Sequence, residues 1–373
     1  MTQKTTTITT LTPLRGVAAL MVAIYHFDVV IANFVNQKFT MLIDKSYLMV
    51  DLFFIMSGFI MLYVYSLKFA TTVTKTNFIK FIGARFARIY PLHFFTLLFW
   101  VAIFYGLHQP ESPINKTSAI PTNLLLLHSF GIHNTLTWNV PSWSISAEWW
   151  AYMIFPFLVL FLNKYKRYGI ITLSTISIIL YFSILYFLPR DIPTVSTLPA
   201  PCDLNVTYDY GCIRGIAGFI AGMLTCIAFQ QKVAVQFFNR DFISILLILT
   251  TILLFHFGVN DLLIVVCFIP LVLTIVTNEK RVFRLLQFKP LQYLGNISYS
   301  IYLTHGFAMF YLAVPLLSKL GYVFRGPGSL QISFYTGLWT CGIYLVGVIL
   351  ISSFTYYLVE KPCRNWLNKK FNT

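Results

Sequence analysis

The chain has 373 residues, 57% of them hydrophobic and only 10% charged, and a formal net charge of +15. A soluble domain is about a quarter charged, so this composition excludes an ordinary globular enzyme and points to a chain that crosses a membrane many times. The positive charge does not indicate nucleic acid. Its Lys and Arg sort to one side of the apolar runs, which is a topology signal with lipid headgroups as its partner.

Taken in chain order, apolar stretches long enough to span fall near 11–31, 47–67, 91–107, 143–162, 169–188, 211–229, 242–257, 260–277, 293–318 and 332–358. The expected fold is therefore all-α: a polytopic membrane helix bundle of about ten transmembrane helices. With the N-terminus inside, twenty of the 27 basic residues lie on the inner face, which predicts cytoplasmic N- and C-termini. The first span serves as the insertion signal, with no cleaved leader needed. One integral-membrane domain over 1–373 is expected. Between Asn77 and Tyr90, Phe78, Ile79, Phe81, Ile82, Phe86 and Ile89 alternate with Lys80, Arg85 and Arg88, the pattern of an amphipathic helix on the inner face. Pro91 is expected to start the third span, where a missing N–H is harmless.

The first span holds Arg15 and His26. Ionisable residues inside a span are costly and normally face a bundle interior or a wet cavity. Eleven helical steps separate these two by roughly 16 Å along the axis. A histidine near neutral pH serves as a general base. Asp28 lies too close in sequence to share its face, so Asp51 on the second span is the expected orienting carboxylate. Arg15 reads either as part of a polar site inside the bundle or as a snorkelling anchor. Arg85 and Arg88 are three apart and share a helical face, where two guanidinium forks suit phosphate oxygens; lipid headgroups are the alternative.

The second span opens Val50-Asp-Leu-Phe-Phe-Ile-Met-Ser57-Gly58. Ser57-Gly58 is a small pair that permits close helix approach, and no base stands beside Ser57 in sequence, so packing is expected of it rather than nucleophilic attack. The fourth span opens Trp143-Ser144-Ile-Ser-Ala-Glu148. Glu148 either orients an acceptor hydroxyl or caps the helix. On the ninth span, Tyr302 and His305 share a face; they line a cavity or pair with each other. The cysteines lack metal-ligand spacing, and no metal is expected. Cys202 and Cys212 flank an outer loop, either as a disulfide or as two free thiols.

Six segments in series resemble the acyltransferase-3 family of integral-membrane acyltransferases: Arg15-Gly with His26, Val50–Phe59, Arg85-Phe-Ala-Arg88-Ile-Tyr-Pro91, Trp143–Glu148, Ser298–His305 and Glu360-Lys-Pro362. The resemblance runs from Leu11 to about Pro362. It implies an O-acyltransferase in the bacterial inner membrane, with a cytoplasmic acyl-CoA as donor, acetyl-CoA by default. The acceptor it implies is a sugar hydroxyl of a cell-surface polysaccharide such as lipopolysaccharide O-antigen. Some relatives carry a separate extracytoplasmic hydrolase-like domain, which is not expected here.

On that reading His26, Asp51 and Glu148 are catalytic, and Arg15, Arg85 and Arg88 hold the donor. Trp143, Ser144, Tyr302 and His305 meet the acceptor, and His26 and the arginines open to one tunnel. The outer loops 108–142 and 189–210 set acceptor choice. The competing class is a proton- or anion-coupled transporter, against which the two halves show no sequence symmetry.

Overall fold

The computed structural model of the chain describes residues 9–188, 203–233, 235–278, 280–326 and 328–372. Cys202 and most of the 189–210 loop lie outside them. The fold is all-α and polytopic, with no strand among the described residues. In chain order the helices are α1 (Leu11–Tyr25), α2 (Met49–Tyr65), α3 (Lys75–Gly106), α4 (Ile120–Leu124), α5 (Trp143–Tyr186), α6 (Gly211–Gln230) and α7 (Val235–Phe238). They continue with α8 (Asp241–His256), α9 (Asp261–Thr277), α10 (Arg281–Leu286), α11 (Lys289–Asn296), α12 (Ser298–Ala308), α13 (Val314–Lys319), α14 (Phe334–Thr355) and α15 (Lys361–Asn372).

Among the described residues, seven helical segments are long and apolar enough to cross a membrane, and α8 and α9 are shorter apolar helices. The 44-residue α5 is two helices joined at Lys166, whose backbone is not helical (φ 46°, ψ −114°). With that segment counted as two and the shorter helices added, the described residues hold ten apolar helical segments where the hydropathy pattern predicts about ten spans. The charged run Lys164-Tyr-Lys166-Arg167 predicts a loop there, and the structure reduces it to one residue. Residues 77–90 are not a separate interfacial helix: α3 runs unbroken through Pro91. A proline forfeits one backbone bond, which spanning helices tolerate when neighbours satisfy the freed carbonyl. Thr74 caps α3, its hydroxyl accepting from the Asn77 N–H at 3.3 Å.

The chain divides into two compact units. The first comprises Met1–Met56, Pro189–Asn205 and Thr225–Ser352. Here α1 and α11 meet backbone to backbone: a Cβ on Gly295 would lie 1.9 Å from the Thr12 carbonyl oxygen, and one on Gly16 would lie 2.7 Å from the Gly295 nitrogen. α1 does not end as a regular helix. His26–Ala32 form a π-helical turn that closes on Asn33 in the left-handed region. The buried Asp28 carboxylate holds that end, accepting from the N–H groups of Phe34 (2.8 Å) and Val35 (3.2 Å). At the start of α9, the fully buried Asp261 gathers Lys45 Nζ (2.5 Å), the Tyr47 hydroxyl (2.6 Å) and the Leu204 N–H (2.6 Å).

The second unit comprises Ser57–Leu188, Val206–Leu224 and Ser353–Thr373. Phe81, Phe155 and Phe219 pack ring against ring in its core. α15 lies along α3, with the Phe371 ring where a Cβ on Gly83 would sit. The segment between α3 and α5 packs Ala119 and Trp138 on Leu97 and Phe104 of α3 and is also tied down by buried polar contacts. His93 Nε2 donates to the Asn123 carbonyl (2.9 Å), Asn123 Nδ2 to Thr137 (2.8 Å) and Asn139 Nδ2 to Thr96 (3.1 Å), and His128 bonds Ser142 (3.1 Å).

Candidate active site

The first unit collects imidazoles. His26 opens the π turn, and its Nδ1 lies 2.9 Å from the Val22 carbonyl oxygen. A carbonyl only accepts, so Nδ1 carries the proton and Nε2 keeps a bare lone pair. The ring packs on His305, with centroids 4.8 Å apart and planes at 47°. His305 is buried, and its own Nδ1 points to the Ile301 carbonyl at 3.3 Å. Tyr302 lies edge-on to His305 at 6.2 Å and to Phe53 at 5.9 Å. Backbone thus holds the Nδ1 proton of His26, and Asp51 is fully buried in the first turn of α2. Arg15 lies half-buried on α1.

The second unit collects guanidinium and carboxylate groups. Arg88 is ion-paired with Glu360, which is 1% exposed and also faces Arg364 Nη1 at 3.5 Å. Arg85 is held differently. Its guanidinium bonds the Tyr65 hydroxyl (3.0 Å) and the Met61 sulfur (3.6 Å). It also sits over the Tyr65 and Tyr152 rings at 5.3 and 5.9 Å. None of these partners carries a negative charge, and Arg85 Nε is buried without a hydrogen bond. An anionic group fits that unmet demand. The two arginines share a helix and divide their partners.

Trp143 and Ser144 are buried at the start of α5. The Trp143 ring lies against Gly211 and under the fully buried Arg214 guanidinium, 5.4 Å from its centroid, and the Ser144 hydroxyl bonds the Pro141 carbonyl at 3.3 Å. One turn on, Glu148 does not cap the helix: its Oε1 accepts from the Ser57 hydroxyl at 2.6 Å and from the Tyr152 hydroxyl. In sequence no base stands beside Ser57, because Glu148 lies 91 residues away. Cys212 is buried with a free thiol, and its expected partner Cys202 lies outside the described residues. Among the described residues, no three His, Cys, Asp or Glu side chains assemble as metal ligands.

The family model for an acyltransferase domain, that of the acyltransferase-3 family, matches residues 10–358. The chain belongs to the acyltransferase-3 family. It is 33% identical over 151 residues to protein 2 in the picA locus of Rhizobium radiobacter, a match covering 36% of this chain and 73% of that one. It is 34% identical over 110 residues to the acyltransferase MdmB of Streptomyces mycarofaciens, covering 29% of this chain and 27% of that protein. No solved structure matches. The protein is a membrane acyltransferase, and both units contribute to the family match.

Proposed function

We propose that this acyltransferase moves an acyl group, acetyl by default, from cytoplasmic acyl-CoA to a sugar hydroxyl of a cell-surface polysaccharide such as lipopolysaccharide O-antigen. On this reading it works in the bacterial inner membrane with both termini in the cytoplasm. The observation that carries the chemistry is the bond from His26 Nδ1 to the Val22 carbonyl, which leaves Nε2 as a lone-pair base. His26 takes the proton of the acceptor hydroxyl, a contribution typically worth about 10²–10⁴ in rate.

Arg85, with its neutral contacts, is the principal ligand of the donor's phosphates. Arg15 and Arg88 add positive charge, and Arg88 does so to the extent that Glu360 yields it. Asp51 and Glu148 support the reacting groups. Trp143, Ser144, Tyr302 and His305 meet the acceptor, whose choice rests with the segment 108–142.

The test is donor-dependent release of free CoA by the purified protein, with surface-glycan acetylation compared in cells with and without it. CoA release and acetylation that both require the protein are the expected results. A protein that moves protons or anions and releases no CoA would be a transporter, and the reading would fall.

A further inference from the structure

Hydroxyls inside membrane helices usually return their proton to the carbonyl one turn back. This chain does so repeatedly: Ser174 bonds Ile170, Thr251 bonds Leu247 and Thr304 bonds Ser300, at 2.7–2.9 Å. Ser57 departs from that habit. Its hydroxyl donates to the Glu148 carboxylate at 2.6 Å and lies 3.0 Å from the Tyr152 hydroxyl.

Glu148 and Tyr152 are four residues apart on α5 and so share a face. Both hydroxyls use Oε1 of Glu148. The backbone around Ser57 is pinned, because a Cβ on Gly58 would lie 1.9 Å from the Phe219 carbonyl oxygen. Arg85, the cation without a carboxylate partner, stands over the ring of Tyr152. The result is a hydroxyl on a fixed backbone, a carboxylate in hydrogen-bond contact with it and an anion-seeking group beside them. That is the arrangement an activated oxygen nucleophile needs. All four residues belong to the second unit.

We propose that Ser57 is a covalent acyl carrier. The inference rests on the reading that the donor is an acyl thioester, and it adds a residue to that reaction. Ser57 Oγ attacks the thioester carbonyl as Glu148 takes the hydroxyl proton. The C–S bond breaks, and Glu148 returns that proton to the departing thiolate, giving an O-acyl serine and free CoA. The acceptor hydroxyl then attacks the ester carbonyl, the acyl–Ser57 bond breaks, and the proton the acceptor loses replaces the one Ser57 Oγ gave up, so the cycle closes with no net change in protons and without an oxidant or reductant.

Purified enzyme incubated with acetyl-CoA and no acceptor, quenched rapidly and mapped by mass spectrometry, tests this directly. The expected result is one acetyl group on the peptide bearing Ser57, released by hydroxylamine and formed with a stoichiometric burst of CoA. Glu148→Gln should slow the burst by about 10²-fold or more. Ser57→Ala should abolish the adduct, and Ser57→Cys should carry it as a thioester, which keeps the test decisive if the alanine variant fails to fold.

Acceptor-dependent turnover at the normal rate with no adduct on rapid quench would overturn the carrier role and leave the proposed function standing as direct transfer. An adduct on a different residue, or full transfer by a folded Ser57→Ala enzyme, would overturn it equally. Absence of CoA release from acetyl-CoA under any condition would remove both readings at once.

Discussion

His26 in the first unit and Arg88 in the second are both ionisable side chains on membrane helices, and they are held in opposite ways. His26 is fixed through one backbone carbonyl and packs on a second imidazole. Arg88 is fixed by a carboxylate, and the carboxylate is shared with a second arginine. The difference follows from what each group does with charge. A guanidinium is permanently charged and in a low-dielectric interior needs a standing counter-charge. An imidazole enters the membrane neutral, so a carbonyl suffices to set its tautomer, and no ion pair opposes a change of protonation. Arg85 stands between the two cases, permanently charged yet met only by a phenol, a thioether and two ring faces. Proton transfer belongs where charge is uncommitted, and anion binding belongs where a fixed charge lacks its partner.

The strongest way to break that contrast is at His26. His26→Ala should lower acceptor-dependent turnover by about 10²–10⁴ while leaving donor affinity nearly unchanged, read from steady-state CoA release. His26→Gln sharpens the result. Its amide still donates toward the Val22 carbonyl but offers no basic nitrogen, so it should lose as much as alanine. His305→Ala should cost less than either. If His305→Ala proves the more damaging and His26→Gln keeps its rate, the base is on the other ring and the assignment reverses.

The two arginines give the next largest effects, and these should differ in kind. Arg85→Ala should raise the KM for acyl-CoA by about 10–100-fold, the loss of one charge-assisted contact at about 1.5–3 kcal/mol, with stability close to the parent. Arg88→Ala should act mainly on stability. It takes one cation from the buried Glu360 carboxylate, a change worth about 3 kcal/mol. Adding Glu360→Gln to Arg88→Ala should recover part of that loss, since the uncompensated charge goes with it. Equal KM effects for both arginines, with no difference in unfolding temperature, would erase the distinction between them.

The spans were legible because hydropathy is a local property, and a polar residue inside a span announces itself; Arg15, His26 and Glu148 stand out for that reason. Partners were not legible. His26 meets His305, Arg88 meets Glu360 and Ser57 meets Glu148 across separations that no window on the chain contains. One clue lay within reach: the four-residue spacing of Glu148 and Tyr152 puts two polar groups on one face of a spanning helix and asks for a third group opposite. The π turns were also hidden. They occupy His26–Ala32, Met309–Ala313 and Tyr356–Glu360, beginning at His26 and ending at Glu360 in two of the three cases. A π turn is set by contacts such as Asp28 on the Phe34 and Val35 N–H groups, and apolar periodicity carries no sign of it. Pro91 misled because its local effect reads as a start, whereas the packed helix runs through it.

The smallest expected effect lies in the segment between α3 and α5, where the second unit buries an imidazole that no carboxylate compensates. His128 is 4% exposed, bonds Ser142 and lies parallel to His93 with centroids 5.8 Å apart. Burial, reinforced by the neighbouring His93, pushes its pKa down to about 3. The unfolded chain protonates the same ring near its ordinary value of about 6.5. Above that value both states are neutral there, and pH has no leverage through this group. As pH falls below it, the unfolded chain binds a proton that the folded chain refuses, so stability drops, by at most about 1.4 kcal/mol per pH unit for one such group. Burial lowers His133 too, but it is less enclosed and contributes less. Glu111 is held below the usual carboxylate value by Thr117, so its contribution falls at lower pH and leaves the range from 6.5 to 5 to the histidines. The unfolding temperature of the detergent-solubilised protein should therefore decline across that range, and His128→Gln should flatten the decline. An unchanged slope in that variant would show that the polar knot between α3 and α5 admits a proton, and that the second unit does not require a neutral imidazole at its centre.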